Sequence, residues 1–324
     1  MRVIWGLLAV AVLATLGWGG YWFAGARAMD HAVTRVLQGN PAVSAASHSL
    51  QGFPNRFDLT LDAPQVAQGG LRWRAPFVQF FALSYRLNHV IAVFAQDQQF
   101  DIEGREFSLH TQDMRASLVM TPGLDLPVER VALVAEAPAL RSLNETHRAD
   151  TTRLASRALE GARHALVIEL ENAFPDPAAL NAQDPHGHWP RRFDVIRLEG
   201  EVALDRALDR HALNGAPPQV TGLALTGGRL VFDGITINAS GRLEPDAQGY
   251  LSGEMVLAIT GWRELMRRAR DAGLMPAEHD TLVTLALQSM TDPANPERLE
   301  APFAVRAGDI LLGPVVLGSL PPLR

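Results

Sequence analysis

Ile196-Arg197-Leu198-Glu199-Gly200-Glu201-Val202-Ala203-Leu204-Asp205 carries the alternation that decides the fold. Successive side chains of an extended chain point to opposite faces. Ile196, Leu198, Gly200, Val202 and Leu204 therefore share one face, and Arg197, Glu199, Glu201 and Asp205 the other. The same period of two recurs on both sides of this stretch. Phe57, Leu59 and Leu61 oppose Arg56, Asp58, Thr60 and Asp62, and Leu71, Trp73 and Ala75 oppose Arg72 and Arg74. Ile235, Ile237, Ala239, Gly241 and Leu243 oppose Thr236, Asn238, Ser240, Arg242 and Glu244, and Leu251, Gly253, Met255, Leu257 and Ile259 extend the series. Turn residues stand between them at Gly227-Gly228, Asp233-Gly234 and Pro245-Asp246 with Gly249. Strands with one apolar and one polar face belong to antiparallel sheet that is wetted on one side. Phe77 to Leu83 and Val90 to Phe94 are more continuously apolar and are expected to be buried on both faces.

Few helices are available to cover the apolar side. Trp262, Leu265, Met266 and Ala269 fall on one helical face in Trp262 to Ala272, and Leu282, Leu285, Ala286 and Met290 share a face in Ala277 to Met290. Gly273 and Pro276 divide the two, which predicts a small helical hairpin near 262–290. The fold class expected is mainly β, a β-rich α+β arrangement of curled antiparallel sheet. The stretch 174–192, rich in Pro, Asn, Asp and His, reads as a loop or linker between two similar halves, 41–173 and 193–324.

The N-terminal segment is of another kind. Val3 to Ala26 runs for 24 residues without a charge. As a helix that is about 36 Å, more than the ~30 Å hydrocarbon core of a bilayer. Residues 1–26 are thus expected to be a transmembrane anchor, with Trp5 near one interface and Trp18, Tyr21 and Trp22 near the other. Ala24-Gly25-Ala26 imitates a signal-peptide cleavage site, but an h-region of about 7–15 residues is the usual length for those. Residues 27–40 continue the helix, with Met29, Val33, Val36 and Leu37 as a stripe that docks on the body, and Gly39-Asn40-Pro41 stops it. The short N-terminal tail and signal-like features favour an inner-membrane, single-pass protein whose body, 41–324, lies in the periplasm.

Composition excludes several functions. Charged residues at 20% and apolar ones at 47% describe a folded chain rather than a disordered one. A net charge of −6 leaves no basic face for nucleic acid. The absence of cysteine removes thiolate catalysis and Cys-ligated metals. No Gly-x-Ser-x-Gly elbow, phosphate loop, dinucleotide fingerprint or His-Glu-x-x-His is present, so no enzyme activity, cofactor or metal is expected. Asp184, His186 and His188 lie close together, but their spacing matches no metal pattern. Arg263, Arg267, Arg268 and Arg270, mixed with Glu264 and Asp271, make a solvated helix face.

The apolar strand faces have two readings. One is a packed core. The other is a groove for acyl chains, lined by Phe57, Leu59, Leu61, Trp73, Leu198, Val202, Ile235, Ile237 and Leu257. The partners expected are accordingly a membrane, with lipid or envelope proteins besides.

Gly52-Phe53-Pro54-x-Arg56-Phe57-Asp58-Leu59, Trp73-x-Ala75-Pro76, Tyr85-x-x-Asn88-His89-Val90-Ile91 and Met114-Arg115-Ala116-Ser117 resemble a family of bacterial envelope proteins, the domain of unknown function number 2125. Gly308-Asp309-Ile310-Leu311-Leu312-Gly313-Pro314 and Leu317-Gly318-x-Leu320-Pro321 fit its ending. This likeness implies no activity and no catalytic residues. A looser likeness to AsmA-like proteins, in the single N-terminal helix and serial amphipathic strands, implies a part in envelope lipid transport or homeostasis.

Overall fold

The computed structural model describes residues 2–184, 186–213, 218–272, 284–285, 287–288, 290–292, 294–312 and 315–322. Helix α1, Arg2–Gly39, is one unbroken rod of 38 residues, about 57 Å long. It ends at the predicted stop. A 16-stranded sheet and a seven-stranded sheet follow, and every strand pairing is antiparallel.

Up to Ala173 the chain visits the two sheets in turn. Arg56–Asp62 lies in the large sheet, Gln65–Gln68 and Leu71–Arg74 in the small one, and Phe77–Leu83 and Arg86–Phe94 in the large one again. Asp97–Ile102 and Arg105–His110 return to the small sheet, and Asp113–Met120 and Val128–Glu136 to the large. Ala139–Arg141 and Thr146–Arg148 complete the small sheet before Thr151–Ala158 rejoins the large one. Each of these six crossings takes two residues: Ala63-Pro64, Ala75-Pro76, Ala95-Gln96, Thr111-Gln112, Ala137-Pro138 and Ala149-Asp150. Three long hairpins are thereby folded over along one line of corners.

A corner needs a small first residue, because the two sheets close on it. Ala75, Ala95, Thr111 and Ala149 are buried, while Ala63 and Ala137 take the left-handed backbone at φ 45° and 47°. Backbone hydrogen bonds run across the bends: Ala63 N–H donates to Pro76 (2.7 Å) and Ala75 N–H to Pro64 (3.3 Å), and Ala137 N–H donates to Asp150 (2.7 Å) and Ala149 N–H to Pro138 (3.0 Å). Backbone donors that leave one ladder are so satisfied at the turn into the next.

The expected curl is absent. The large sheet is an open ladder from Ser47–Gln51 to Val315–Ser319, and its apolar face meets the small sheet by folding over rather than by closure. The strands on either side of 174–192, Arg163–Ala173 and Phe193–Leu204, are neighbours in that sheet, so the loop joins adjacent strands. It holds one short helix, α2 (Pro177–Gln183), capped by Asp176. Gly227-Gly228 is not a turn. Both residues lie within the strand Val220–Phe232, where the register shifts between Leu225 and Gly228. Phe77–Leu83 and Arg86–Phe94 are only half-buried, and Ile91 looks outward.

Register places Leu59, Phe80, Ala92, Ala116, Leu133, Leu154, Ile168, Leu198, Ala239 and Leu257 in one row across the large sheet. Its neighbouring rows on that face are apolar apart from Thr152 and Ser156. The opposite face carries charge: Arg153 bridges Glu169 and Glu171, and Arg197 bridges Glu169 and Glu199. Those arginines, Arg197 foremost, hold the Glu169 carboxyl below its ordinary range.

Helix α3 (Trp262–Asp271) closes the apolar face at the C-terminal end. Trp262 packs with Phe232, Ile235, Ile259, Leu287 and Leu299, and its Nε1 donates to Pro296 O at 3.0 Å. Its arginines face solvent in ion pairs, Arg263 with Glu297, Arg267 with Glu264 and Asp271, and Arg268 with Glu264 and Asp233. Arg267 and Arg268 lower the Glu264 carboxyl to about 2. Of the second helix expected at Ala277 to Met290, residues 277–283, 286 and 289 lie outside the described residues, and Thr284–Leu285 and Leu287–Gln288 are helical.

His164 sits on the apolar face opposite Val202, buried, with Ser156 Oγ at 3.2 Å from Nδ1. Burial pushes its pKa below the ordinary value. The unfolded chain thus binds a proton that the folded chain refuses, so this contribution to stability is complete above about pH 6.5 and is lost on acidification below it. Thermal unfolding is expected to fall between pH 7.5 and 5.5, and to fall less in a His164→Gln variant. Identical slopes in the two proteins would remove the assignment to His164.

Candidate apolar cleft

The two sheets diverge from the line of corners and leave a cleft of about 650 Å³ between them. Its first wall is the inner face of the small sheet, with Phe100, Ile102, Phe107, Leu109 and Leu140. Alternation puts them there: Phe100 and Ile102 precede the Glu103-Gly104 turn, and Phe107 and Leu109 follow it, each pair two residues apart. The second wall is the apolar face of the large sheet, with Met114, Leu133, Ala135, Thr152, Leu170 and Ile196. Near the corners the walls touch. Trp73 meets Phe94 edge-on at 6.1 Å, its Nε1 donates to Gln98 Oε1 at 3.0 Å, and Gln98 Nε2 reaches Met114 Sδ at 3.1 Å.

Phe174, Pro175 and Phe193 stand at one end of the cleft. Asp176 fixes that end. Its carboxylate accepts hydrogen bonds from Ala178, Ala179 and Thr146 N–H, which tie α2 to the small-sheet strand Thr146–Arg148. Those backbone donors, Ala179 and Thr146 first, hold the Asp176 carboxyl below the usual carboxylate range. Arg148 lies over the Phe174 ring at 5.8 Å, with its charge on the rim. Lined almost throughout by carbon, the cleft offers hydrophobic burial and little directional bonding, which suits a flexible hydrocarbon chain.

The residues expected to line a groove are distributed along this face. Leu59, Leu61 and Leu257 are half-buried on it, and Leu198, 45% exposed, lies beyond the cleft where the face is open. Trp73 belongs to the opposite wall, on the small sheet. Phe57 is sealed beneath α1, Ile235 is sealed beneath α3, Ile237 packs against the same cluster, and Val202 is buried beside His164. Apart from Trp73, alternation thus gathers these residues on one face of the large sheet, while covering elements decide which part of it stays open.

Asp184 is buried and accepts from Trp189 N–H at 2.6 Å. Burial pushes its carboxyl up, but the backbone N–H groups of Trp189 and His188 outweigh that and leave it low. It organises the loop. His186 and His188 lie side by side with ring centroids 5.9 Å apart. Among the described residues no group of three or more His, Cys, Asp or Glu could hold a metal ion.

At the other end of the face, α1 lies along the first hairpin of the large sheet. Trp18 Nε1 donates to Pro54 O (2.9 Å), Tyr21 Oη to Ser84 O (2.7 Å) and Trp22 Nε1 to Arg56 O (2.8 Å). Trp22 stacks on Phe57 at 5.5 Å, Phe23 stacks on Phe53 at 5.6 Å, and Asp30 meets His48 at 2.8 Å farther along. Met29, Val33 and Leu37 continue the half-buried stripe, whereas Val36 is exposed.

A family model described as an uncharacterized protein conserved in bacteria, DUF2125, matches residues 22–321. The chain belongs to the DUF2125 family. The DUF2125 match opens at Trp22, so it takes in the docked half of α1 together with both sheets and α3. No curated protein and no solved structure matches the chain. Its N-terminal helix is long and apolar enough to cross a membrane.

Proposed function

We propose that this DUF2125 protein is a membrane-tethered, non-enzymatic binder of lipid acyl chains, with its body on the periplasmic side of the inner membrane. The observation that carries this reading is the carbon-lined cleft between the sheets, continuous with an open apolar face and joined to a bilayer-length helix. A closed core would need no such opening, and a site for a polar ligand would need convergent polar groups. Docking of α1 supports its retention as an anchor: cleavage after Ala26 would strip Trp22 from Phe57 and expose a ring that is 2% accessible.

Photo-crosslinking in cells tests the reading. A benzoylphenylalanine at Phe107, on the inner wall, is expected to yield lipid adducts by mass spectrometry, and one at Ser108, its outward neighbour, is not. Protein adducts alone at Phe107 would favour instead a scaffold of an envelope complex.

A further inference from the structure

The helix that would cross the bilayer is too short above its first contact with the body. Ile4 to Trp18 are exposed all round, and the hydrogen bond from Trp18 to Pro54 is the first link to the sheet. The charge of Arg2 bounds the apolar run on this side, and from there Val3 to Gly17 gives about 22 Å of helix, against ~30 Å of hydrocarbon to be crossed. A span of about 20 residues counted from Val3 ends near Trp22. The span therefore includes Trp18 and Tyr21, which are bonded to the tips of the strand connections 52–55 and 84–85. Those tips must lie at the level of the membrane interface.

Their composition fits that level. Phe53 is 53% exposed, Tyr85 66%, Leu87 48%, and Leu124 in the next connection, 121–127, is 85% exposed. Asn88 Nδ2 donates to Met120 O at 2.8 Å, which sets the third connection beside the second. Asp125 is the one acidic residue in the three connections, and it lies 3.3 Å from His211 Nε2. Trp18 and Tyr21 also satisfy two tip carbonyls, which lowers the cost of placing that backbone in a less polar medium. Amphipathic aromatic rings at this depth are the usual furniture of a membrane interface.

We propose that the connections 52–55, 84–85 and 121–127, with Leu87, form a foot that rests in the boundary between phospholipid headgroups and acyl chains. Phe53, Tyr85, Leu87 and Leu124 are its anchors. The foot holds the strands upright beside α1 and fixes the body against the bilayer instead of letting it swing on a tether. The proposal rests on α1 crossing the bilayer.

The chain contains no cysteine, so single-cysteine variants can be labelled without background. Leu13→Cys, Tyr85→Cys, Leu124→Cys and Ser240→Cys of the full chain would carry a small fluorophore in vesicles of phosphatidylethanolamine and phosphatidylglycerol. Labels at positions 13, 85 and 124 are expected to be quenched several-fold more strongly by a lipid-borne nitroxide than the label at 240, with the order reversed for aqueous iodide. If position 13 responds to the lipid quencher while 85 and 124 behave like 240, the anchor stands and the foot is overturned. If position 13 also behaves like 240, α1 does not cross the bilayer and the foot falls with it.

Discussion

Trp22→Ala is expected to loosen the body from α1 and to lower stability by about 3–5 kcal/mol, the cost of deleting a large buried aromatic side chain. Trp22 is 6% exposed, stacks on Phe57, meets Phe23 and Phe53 edge-on at 5.3 and 5.4 Å, and donates to Arg56 O. Its loss leaves a cavity over Phe57 and removes one donor from the helix–sheet contact. Against a total stability of about 5–15 kcal/mol, such a change is decisive. Thermal unfolding and limited proteolysis of the full chain in micelles would measure it. Tyr21→Phe, which deletes one hydroxyl hydrogen bond, is expected to cost only about 1 kcal/mol. Equal unfolding temperatures for Trp22→Ala and the unaltered chain would mean that α1 and the sheet are not mutually stabilising.

Leu140→Asp is expected to abolish the proposed acyl-chain capture while leaving the fold in place. Leu140 lines the cleft and is 37% exposed, so a carboxylate there can stay hydrated when the cleft is unoccupied. A hydrocarbon chain entering the cleft would have to strip that hydration. Burying an unpaired charge costs far more than the ~1.4 kcal/mol that corresponds to a tenfold loss of affinity. Lipid adducts at a Phe107 photo-crosslinker should therefore drop more than tenfold. Ser108→Asp, which adds the same charge on the outward face, should leave them unchanged. Equal loss from both substitutions would point to a general electrostatic effect and away from the cleft.

Much of this architecture is legible in the sequence, for a definite reason. A period of two fixes which side chains share a face, and Leu59, Leu198, Ile237 and Leu257 do share one across the large sheet. It does not say which sheet a strand joins. Ala63-Pro64 and Ala75-Pro76 resemble strand breaks, yet they are corners at which one hairpin passes from sheet to sheet. The cleft is less legible because part of its inner wall comes from short strands such as Ala139–Arg141, too brief for alternation to register. The sequence does carry one signal of it, Phe100 and Ile102 mirrored by Phe107 and Leu109 about Glu103-Gly104. Nor can period alone tell that α1 and α3 roof Phe57 and Ile235, since that depends on contacts between distant segments.

The strand order of the large sheet bears on how the molecule is made. Apart from the two-residue strand Thr291–Asp292, the strands from Ser47–Gln51 to Val315–Ser319 lie side by side in the order in which they occur in the chain. Each can pair as soon as it emerges, against a partner already in place, so loop-closure entropy stays small and the search is mostly local. During synthesis the sheet grows with a moving open edge, and an unpaired strand edge is a template for stray association. Helix α1, which precedes the sheet and covers the apolar face of its first hairpin, gives that growth a packed starting point.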